Sequence, residues 1–339
     1  MLAIVLPALA CLVGSLLAPG PSQPDASPLD RLVLGCDRAV RARIANIHQF
    51  PRRFQYPQGG GDPVLEEPTV RVLELEVEET YWGRAEAKSL FVLDDIFYRD
   101  LRLHGRPEKG EDSIWFLEMD PWFERLDPLT RERIAKLAGN TGLQVVGSDG
   151  LGRLRIEDKD KRPVVCLHQE VWSLPSALPV VGSHSSKNPD RKWVQVAQPA
   201  FEEWLHKAIQ ESIPSVEVDV VSRSPGQSRV TIDKRGHAEL VRPSGGTSVE
   251  IGTDGLQKLL DLASNEHFFE LPSQLGDSQY PDSPIYLLRI RAERGGRQVH
   301  LRGFADPKQD SRALLDAHSR AMRIWDAIPL AREWKISGH

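Results

Sequence analysis

The sequence predicts a mixed α/β protein in two parts. The first is a small β-barrel or sandwich ending on a helix, and the second is an α+β unit of two hairpins and two helices. Three observations predict this. Short alternating or continuously apolar segments, bounded by Gly and Pro, recur along the chain. Strong helical periodicity is confined to a few stretches, around residues 199–211, 254–263 and 307–328. The length of 339 residues, with 40% hydrophobic and 27% charged residues, suits about two ordinary globular domains. A net charge of -5 gives no basic excess of the kind that marks a nucleic-acid-binding chain, and none is expected as a partner.

The N-terminus comes first. Met1 to Leu17 is almost wholly apolar, no charged residue precedes Asp25, and Ala18-Pro19-Gly20-Pro21-Ser22 then breaks the run. This reads as the apolar core of a secretory signal with cleavage at or after Ala18. Residues 1–24 are assigned to the signal peptide, and the remaining chain is expected to be exported, periplasmic or extracellular, with no membrane span in its mature form. A buried helix or a membrane anchor is the alternative reading of the same run. Leu9-Ala10-Cys11 faintly resembles a lipoprotein cleavage site.

Removing that segment leaves Cys36 and Cys166. Two thiols in an exported protein suggest one disulfide. A bridge closing so long a loop would contribute on the order of 5 kcal/mol by chain entropy. Two separately buried thiols are the alternative.

The barrel region is expected over residues 28–212. Val40, Ala42 and Ile44 alternate with Arg41 and Arg43, the pattern of a strand with one buried face. Gln49 to Pro68, with Gly59-Gly60-Gly61, reads as a long loop. Val70 to Glu78 alternates again and closes on Tyr81-Trp82-Gly83. Further strands are expected at Ser89–Leu93, Ser113–Leu117, Leu143–Val146, Leu154–Ile156 and Val164–Leu167, with a helical segment at Arg131–Leu137. Ser173 to Arg191 reads as an exposed loop. A helix then opens on Pro199, carries Phe201, Trp204, Leu205, Ala208 and Ile209 on one face, and stops at Pro214.

That order of elements, with Tyr81-Trp82-Gly83, Gly110-Glu111, Ile114-Trp115-Phe116-Leu117 and the terminal amphipathic helix, resembles the netrin/tissue-inhibitor-like, OB-type barrel domains of exported bacterial proteins. The resemblance covers much of residues 36–211 and implies an OB-like β-barrel. Inhibitors of that family use a free N-terminal Cys to chelate a protease metal. Cys36 does not stand at the N-terminus left by cleavage near Ala18.

The α+β region is expected over residues 215–336. Arg229–Asp233 and His237–Val241 flank Lys234-Arg235-Gly236 as a hairpin. Leu256, Leu259, Leu260 and Ala263 form a helical stripe after Thr253 as N-cap. Ile285–Ala292 and Gln298–Leu301 form a second hairpin around Gly295-Gly296. A last helix opens at Asp306-Pro307 and carries Leu314, Leu315, His318, Ala321, Met322, Trp325 and Ile328. The Gly236 hairpin, Phe268-Phe269-Glu270-Leu271-Pro272 and Asp282-Ser283-Pro284 resemble a bacterial exported or lipid-anchored domain of unknown function. That family carries no established activity to transfer.

Motifs for chemistry are sparse. Gly276-Asp277-Ser278 is similar to the nucleophile block of a Gly-Asp-Ser esterase, but Asp316 and His318 lie two apart on a helix and diverge by about 200°. A turn is the simpler reading. The ten histidines are scattered and no Cys-x-x-Cys occurs, so no metal or other cofactor is expected. Glu66-Glu67 and Asp94-Asp95 are adjacent carboxylates, which point opposite ways on a strand. Gly59-Gly60-Gly61 lacks the Lys-Ser/Thr of a phosphate loop. Trp82, Trp115, Trp122 and Phe123 are the candidate partner face, with aromatic core as the alternative. No catalytic residue is assigned. The expected function is a non-catalytic, exported interaction or envelope-associated protein with a protein or envelope component as partner. A hydrolase with a loop-built site is the alternative, and a protease inhibitor a further one.

Overall fold

The computed structural model describes residues 27–29, 31–51, 69–83, 88–94, 106–119, 128–139, 143–146, 151–169, 171–185, 192–221, 229–242, 245–272, 274–275, 285–293, 295–302 and 312–331. Residues 1–24, expected to be a signal segment, lie outside them, as do Trp122, Phe123, Gly59-Gly60-Gly61, Glu66-Glu67, Asp95, Gly276-Asp277-Ser278, Asp282-Ser283-Pro284 and the expected cap Asp306. Among the described residues no helix is long and apolar enough to cross a membrane.

The chain is mixed α/β and rich in strand. It opens with β1 (Ser27–Pro28) and α1 (Arg31–Leu34), then β2 (Arg38–Pro51), β3 (Thr69–Trp82), β4 (Ser89–Asp94) and β5 (Asp112–Met119). Next come α2 (Pro128–Ala138), β6 (Leu143–Val146), β7 (Arg153–Lys159), β8 (Arg162–His168), β9 (Trp172–Ser173), β10 (Val180–Ser185), β11 (Lys192–Ala197) and α3 (Gln198–Ser212). β1 pairs with β9, and the others form a nine-stranded sheet ordered β10-β11-β8-β7-β5-β2-β3-β4-β6. Within it β6 pairs in parallel with β4 and antiparallel with β5. Pairing therefore passes from β2 through β3, β4, β6 and β5 back to β2, while β7, β8, β11 and β10 continue outward as an open wing.

The apolar pattern explains these layers. On β2, Val40, Ala42 and Ile44 pack with Leu73, Leu75, Leu90, Val92, Trp115 and Leu117 in one cluster. β5 is buried on both faces: Trp115 and Leu117 join that cluster, whereas Ile114 and Phe116 join a second one beneath α3. A strand covered on both sides needs a continuous apolar run, and Ile114-Trp115-Phe116-Leu117 supplies it. In the second cluster α3 contributes Phe201, Leu205 and Ala208, the face expected from its spacing. α2 packs Ile134 and Ala138 against Val70, Val72, Phe91 and Val145.

The second half contains β12 (Ser215–Val221), β13 (Arg229–Ile232), β14 (His237–Arg242), β15 (Gly245–Glu250), α4 (Gly252–Asn265), a short 3-10 turn at Phe268–Glu270, β16 (Gln274–Leu275), β17 (Ile285–Ala292), β18 (Gly295–Arg302) and α5 (Arg312–Ala327). Its seven strands run β15-β14-β13-β12-β17-β18-β16. One sheet face is apolar and lies in a core with α4 and α5 that includes Val216, Val218, Leu288, Ile290, Leu256, Phe268 and Trp325. Both expected hairpins are present, β13–β14 and β17–β18. In the first, Gly236 has φ +80, and a Cβ there would meet the Gly252 carbonyl, so only glycine fits.

Cys36 and Cys166 are both buried and both free in the structure, the arrangement the sequence left open beside a bridge. They belong to different packing environments: Cys36 joins the cluster beneath α3, whereas Cys166 sits on β8 opposite Gln195. Thr253 is not the cap of α4, because Ile251 precedes the helix and Thr253 lies in its first turn. Residues 173–191 are not simply a loop, since β10 runs through them and pairs with β11.

Candidate functional site

Of the sequence-derived partner face, the two described members, Trp82 and Trp115, are both buried, and Trp122 and Phe123 lie outside the described residues. Trp115 is fully buried, and its Nε1 donates to the Ala42 carbonyl at 3.1 Å. Trp82 is 4% exposed and belongs to the other cluster, and its Nε1 donates to the carbonyl of Ala292 in the second half at 3.0 Å. Both indoles are therefore packing elements with a satisfied N–H, as buried tryptophans require. The aromatic signal was correct about burial and silent about direction. Beside Trp82, the Tyr81 hydroxyl donates to Glu202 at 2.6 Å, tying the end of β3 to α3, and Gln198 Nε2 donates to the same carboxylate. Burial and then the Glu202 bond hold the Tyr81 phenol protonated, well above its ordinary pKa.

Trp82 leads to the main concentration of polar chemistry, the seam between the halves. The second sheet turns its polar face toward the first half. On β12 the alternation Val216-Glu217-Val218-Asp219 sends the valines to the core and the carboxylates to the opposite face, and on β17 Leu288-Arg289-Ile290-Arg291 does the same with arginines. Register then places Glu217 opposite Arg289 and Ser215 opposite Arg291. Glu217 meets Arg291 at 3.2 Å, Arg229 at 3.4 Å and Arg289 at 3.7 Å. Arg291, 1% exposed, also reaches Ser215 Oγ at 3.4 Å.

Across the seam, Arg289 Nη1 donates to the Leu34 carbonyl at 3.0 Å, and the Gly296 N–H donates to the Asp37 carbonyl at 2.9 Å. Burial alone would raise Glu217, but Arg289, Arg291 and Arg229 together outweigh it and leave the carboxyl below its ordinary range. Burial pulls Arg291 down to about 10, with neighbouring Arg289 adding to the effect. Glu118 and Asp37 add their charge to that of Glu217 around Arg289, and Asp37 does so around Arg291, so the arginines are held among several carboxylates, an arrangement suited to holding structure.

Cys36 adjoins this seam. Its Sγ donates to the Val33 carbonyl at 3.4 Å, and burial, then Asp37, push the thiol far above its usual pKa. A protonated, buried thiol is poorly suited to ligating a protease metal, where the thiolate is required. Burial, then Glu157, push Cys166 up to about 12.

A second charged group lies on the first half. Arg41 makes a two-pronged contact with Asp112, 2.7 Å at its closest, and reaches Glu78 at 3.5 Å; Arg43 meets Glu78 at 3.3 Å. Asp94 is paired with Arg71 at 3.0 Å. Among the described residues no group of three or more His, Cys, Asp or Glu is placed to hold a metal ion. His318 is half-buried on α5, and Asp316 is paired with Arg320 at 3.1 Å.

Sequence reasoning missed Glu217, Arg289, Arg291 and Gly296. The available signal was the strict alternation of apolar and charged residues in Ser215–Asp219 and Leu287–Arg291 with opposite signs. Comparison with protein-family models, curated proteins and solved structures finds no match.

Proposed function

We propose that the protein is an exported interaction protein, envelope-associated or extracellular, that takes up an extended segment of a protein partner along the rim of one of its sheets. The first half is read as an OB-type barrel carrying a strand wing. The return of pairing from β5 to β2 and the parallel β4–β6 pair support this. The observation that carries the functional reading is where large apolar side chains are exposed. Among the described residues these are Leu129, Val180, Val181, Val241 and Val249. Three of them lie on rim strands, Val180 and Val181 on the outermost strand β10 and Val249 on the outermost strand β15, and Val241 lies one strand in, on β14. Rim strands are normally blunted by charge or proline, because their free N–H and C=O groups pair with other chains. Adjacent half-exposed valines on β10 leave that rim open to strand addition.

Cross-linking in the native envelope, followed by mass spectrometry, tests this. The expected result is one recurrent partner joined through β10 and lost when Val181→Lys places a charge on the rim. Capture of nothing above background, from protein shown to be exported, would overturn it. N-terminal sequencing tests export itself: a new N-terminus shortly after Ala18 is expected, and an intact Met1 on all of the protein contradicts it.

A further inference from the structure

The seam has a feature that charge pairing alone does not require. Gly296, at the start of β18, sits so close to the first half that a Cβ there would lie 3.0 Å from Trp82 Cη2, 3.1 Å from Asp37 Cα and 3.2 Å from Asp37 Oδ1. Its φ is not in the left-handed region, so the restriction is one of space. The neighbouring hydrogen bonds converge on the same few residues: Trp82 to Ala292, Gly296 to Asp37, and Arg289 to Leu34. Three contacts from one hairpin therefore grip the strap Leu34–Asp37 and the end of β3. Cys36 lies inside that strap and feels the fields of Arg291 and Arg289.

We propose that the β17–β18 hairpin is a latch: it closes on the Leu34–Asp37 strap and Trp82, holds the two halves as one body, and by opening makes Cys36 reactive. Opening moves the second sheet as a whole, because β17 is bonded to β12 along Ser215–Val221 and β18 to β16, so Gly296 and Arg289 release the strap together. Glu217 bridges the two arginines in the closed state, at 3.2 Å from Arg291 and 3.7 Å from Arg289. The inference stands apart from strand addition at β10, which belongs to a different edge.

Alkylation of the native, full-length protein tests it, read per cysteine by peptide mass spectrometry, with Cys166 as internal reference for global unfolding. The series Gly296→Ala, Gly296→Val enlarges the side chain into a gap that already lacks room, and Trp82→Phe removes the hydrogen bond to Ala292 together with the part of the indole packed beside Gly296. Glu293→Ala changes an exposed residue of the same turn and serves as the control. The expected result is Cys36 labelling accelerated slightly by Gly296→Ala and on the order of tenfold or more by Gly296→Val. Trp82→Phe should fall between them, with Cys166 and the Glu293→Ala variant unchanged. Equal acceleration at both cysteines, or none at Cys36 in both Gly296→Val and Trp82→Phe, would overturn the latch.

Discussion

Two arginine–carboxylate clusters, one on each half, use the same chemistry for different ends. Around Arg41 the partners Asp112 and Glu78 remain 19% and 33% exposed, and Arg41 itself 26%. Around Glu217 the side chains are 13% exposed, with Arg289 at 12% and Arg291 at 1%. Water screens the first cluster, so its pairs contribute little beyond local order. In the second, Glu217, Arg289 and Arg291 are nearly dry while Arg229, 51% exposed, reaches in from the surface, and the buried members depend on one another to offset the cost of burial. The difference follows from the sheets. The polar face of β2 and β3 looks outward, whereas the polar face of β12 and β17 is covered by the other half. Burial, and not the identity of the charged pair, decides which cluster supports the architecture.

The sharpest way to break that contrast is to remove the central carboxylate from each cluster. Glu217→Ala removes the carboxylate paired with both Arg289 and Arg291, leaving them the more distant Glu118 and Asp37, and should cost up to about 3–5 kcal/mol. Asp112→Ala should cost about 1 kcal/mol or less. Denaturant unfolding of the two variants measures both, and equal costs would erase the distinction. Trp115→Ala should cost about 3–5 kcal/mol, because it empties a closed apolar cluster; a loss within the range of surface substitutions would restore Trp115 to a partner face.

Acid separates the clusters in a second way. Glu217 has a folded pKa below 4.5, so its contribution is fully present above the unfolded value and is lost as pH falls through the lower folded one. The seam should therefore survive titration through the ordinary carboxylate range and loosen only below it. Cys36 labelling by an acid-tolerant thiol reagent reads this, and loosening already near pH 4.5 would contradict it.

The smallest expected effect lies on the exposed rim. His237 pairs with Glu250, which links β14 to β15, and that hydrogen bond raises the imidazole above 6.5. The stabilising contribution is present below the unfolded value and lost as pH rises through the folded one. NMR titration should show a midpoint above 6.5 that returns toward it in Glu250→Gln.

Much of the fold was legible because period two and period 3.6 are local. β4, β5 and β6 fall within a residue or two of the expected spans, and α3 buries the face its spacing marks. The opacity elsewhere has physical causes. β10 is short, and after Val180-Val181 it continues with Gly182 and Ser183 rather than with alternating apolar residues, so its pairing with β11 leaves little local signature. Trp82 and Trp115 signalled packing, but whether an indole faces a core, a seam or a partner depends on which strand lies opposite. The seam was illegible for a stronger reason: Glu217 and Arg289 become neighbours only through register, and Gly296 matters only because Asp37 and Trp82 arrive beside it from far away in sequence. The buried thiols show the same limit, since cysteine count alone cannot separate a bridge from two packed side chains.

Scanning calorimetry of the full chain tests the central claim, that the two halves form one body through the β17–β18 latch. The account predicts a single transition whose calorimetric and van't Hoff enthalpies agree, splitting into two in Gly296→Val. Two independent transitions in the unaltered protein, unchanged by Gly296→Val, would contradict it.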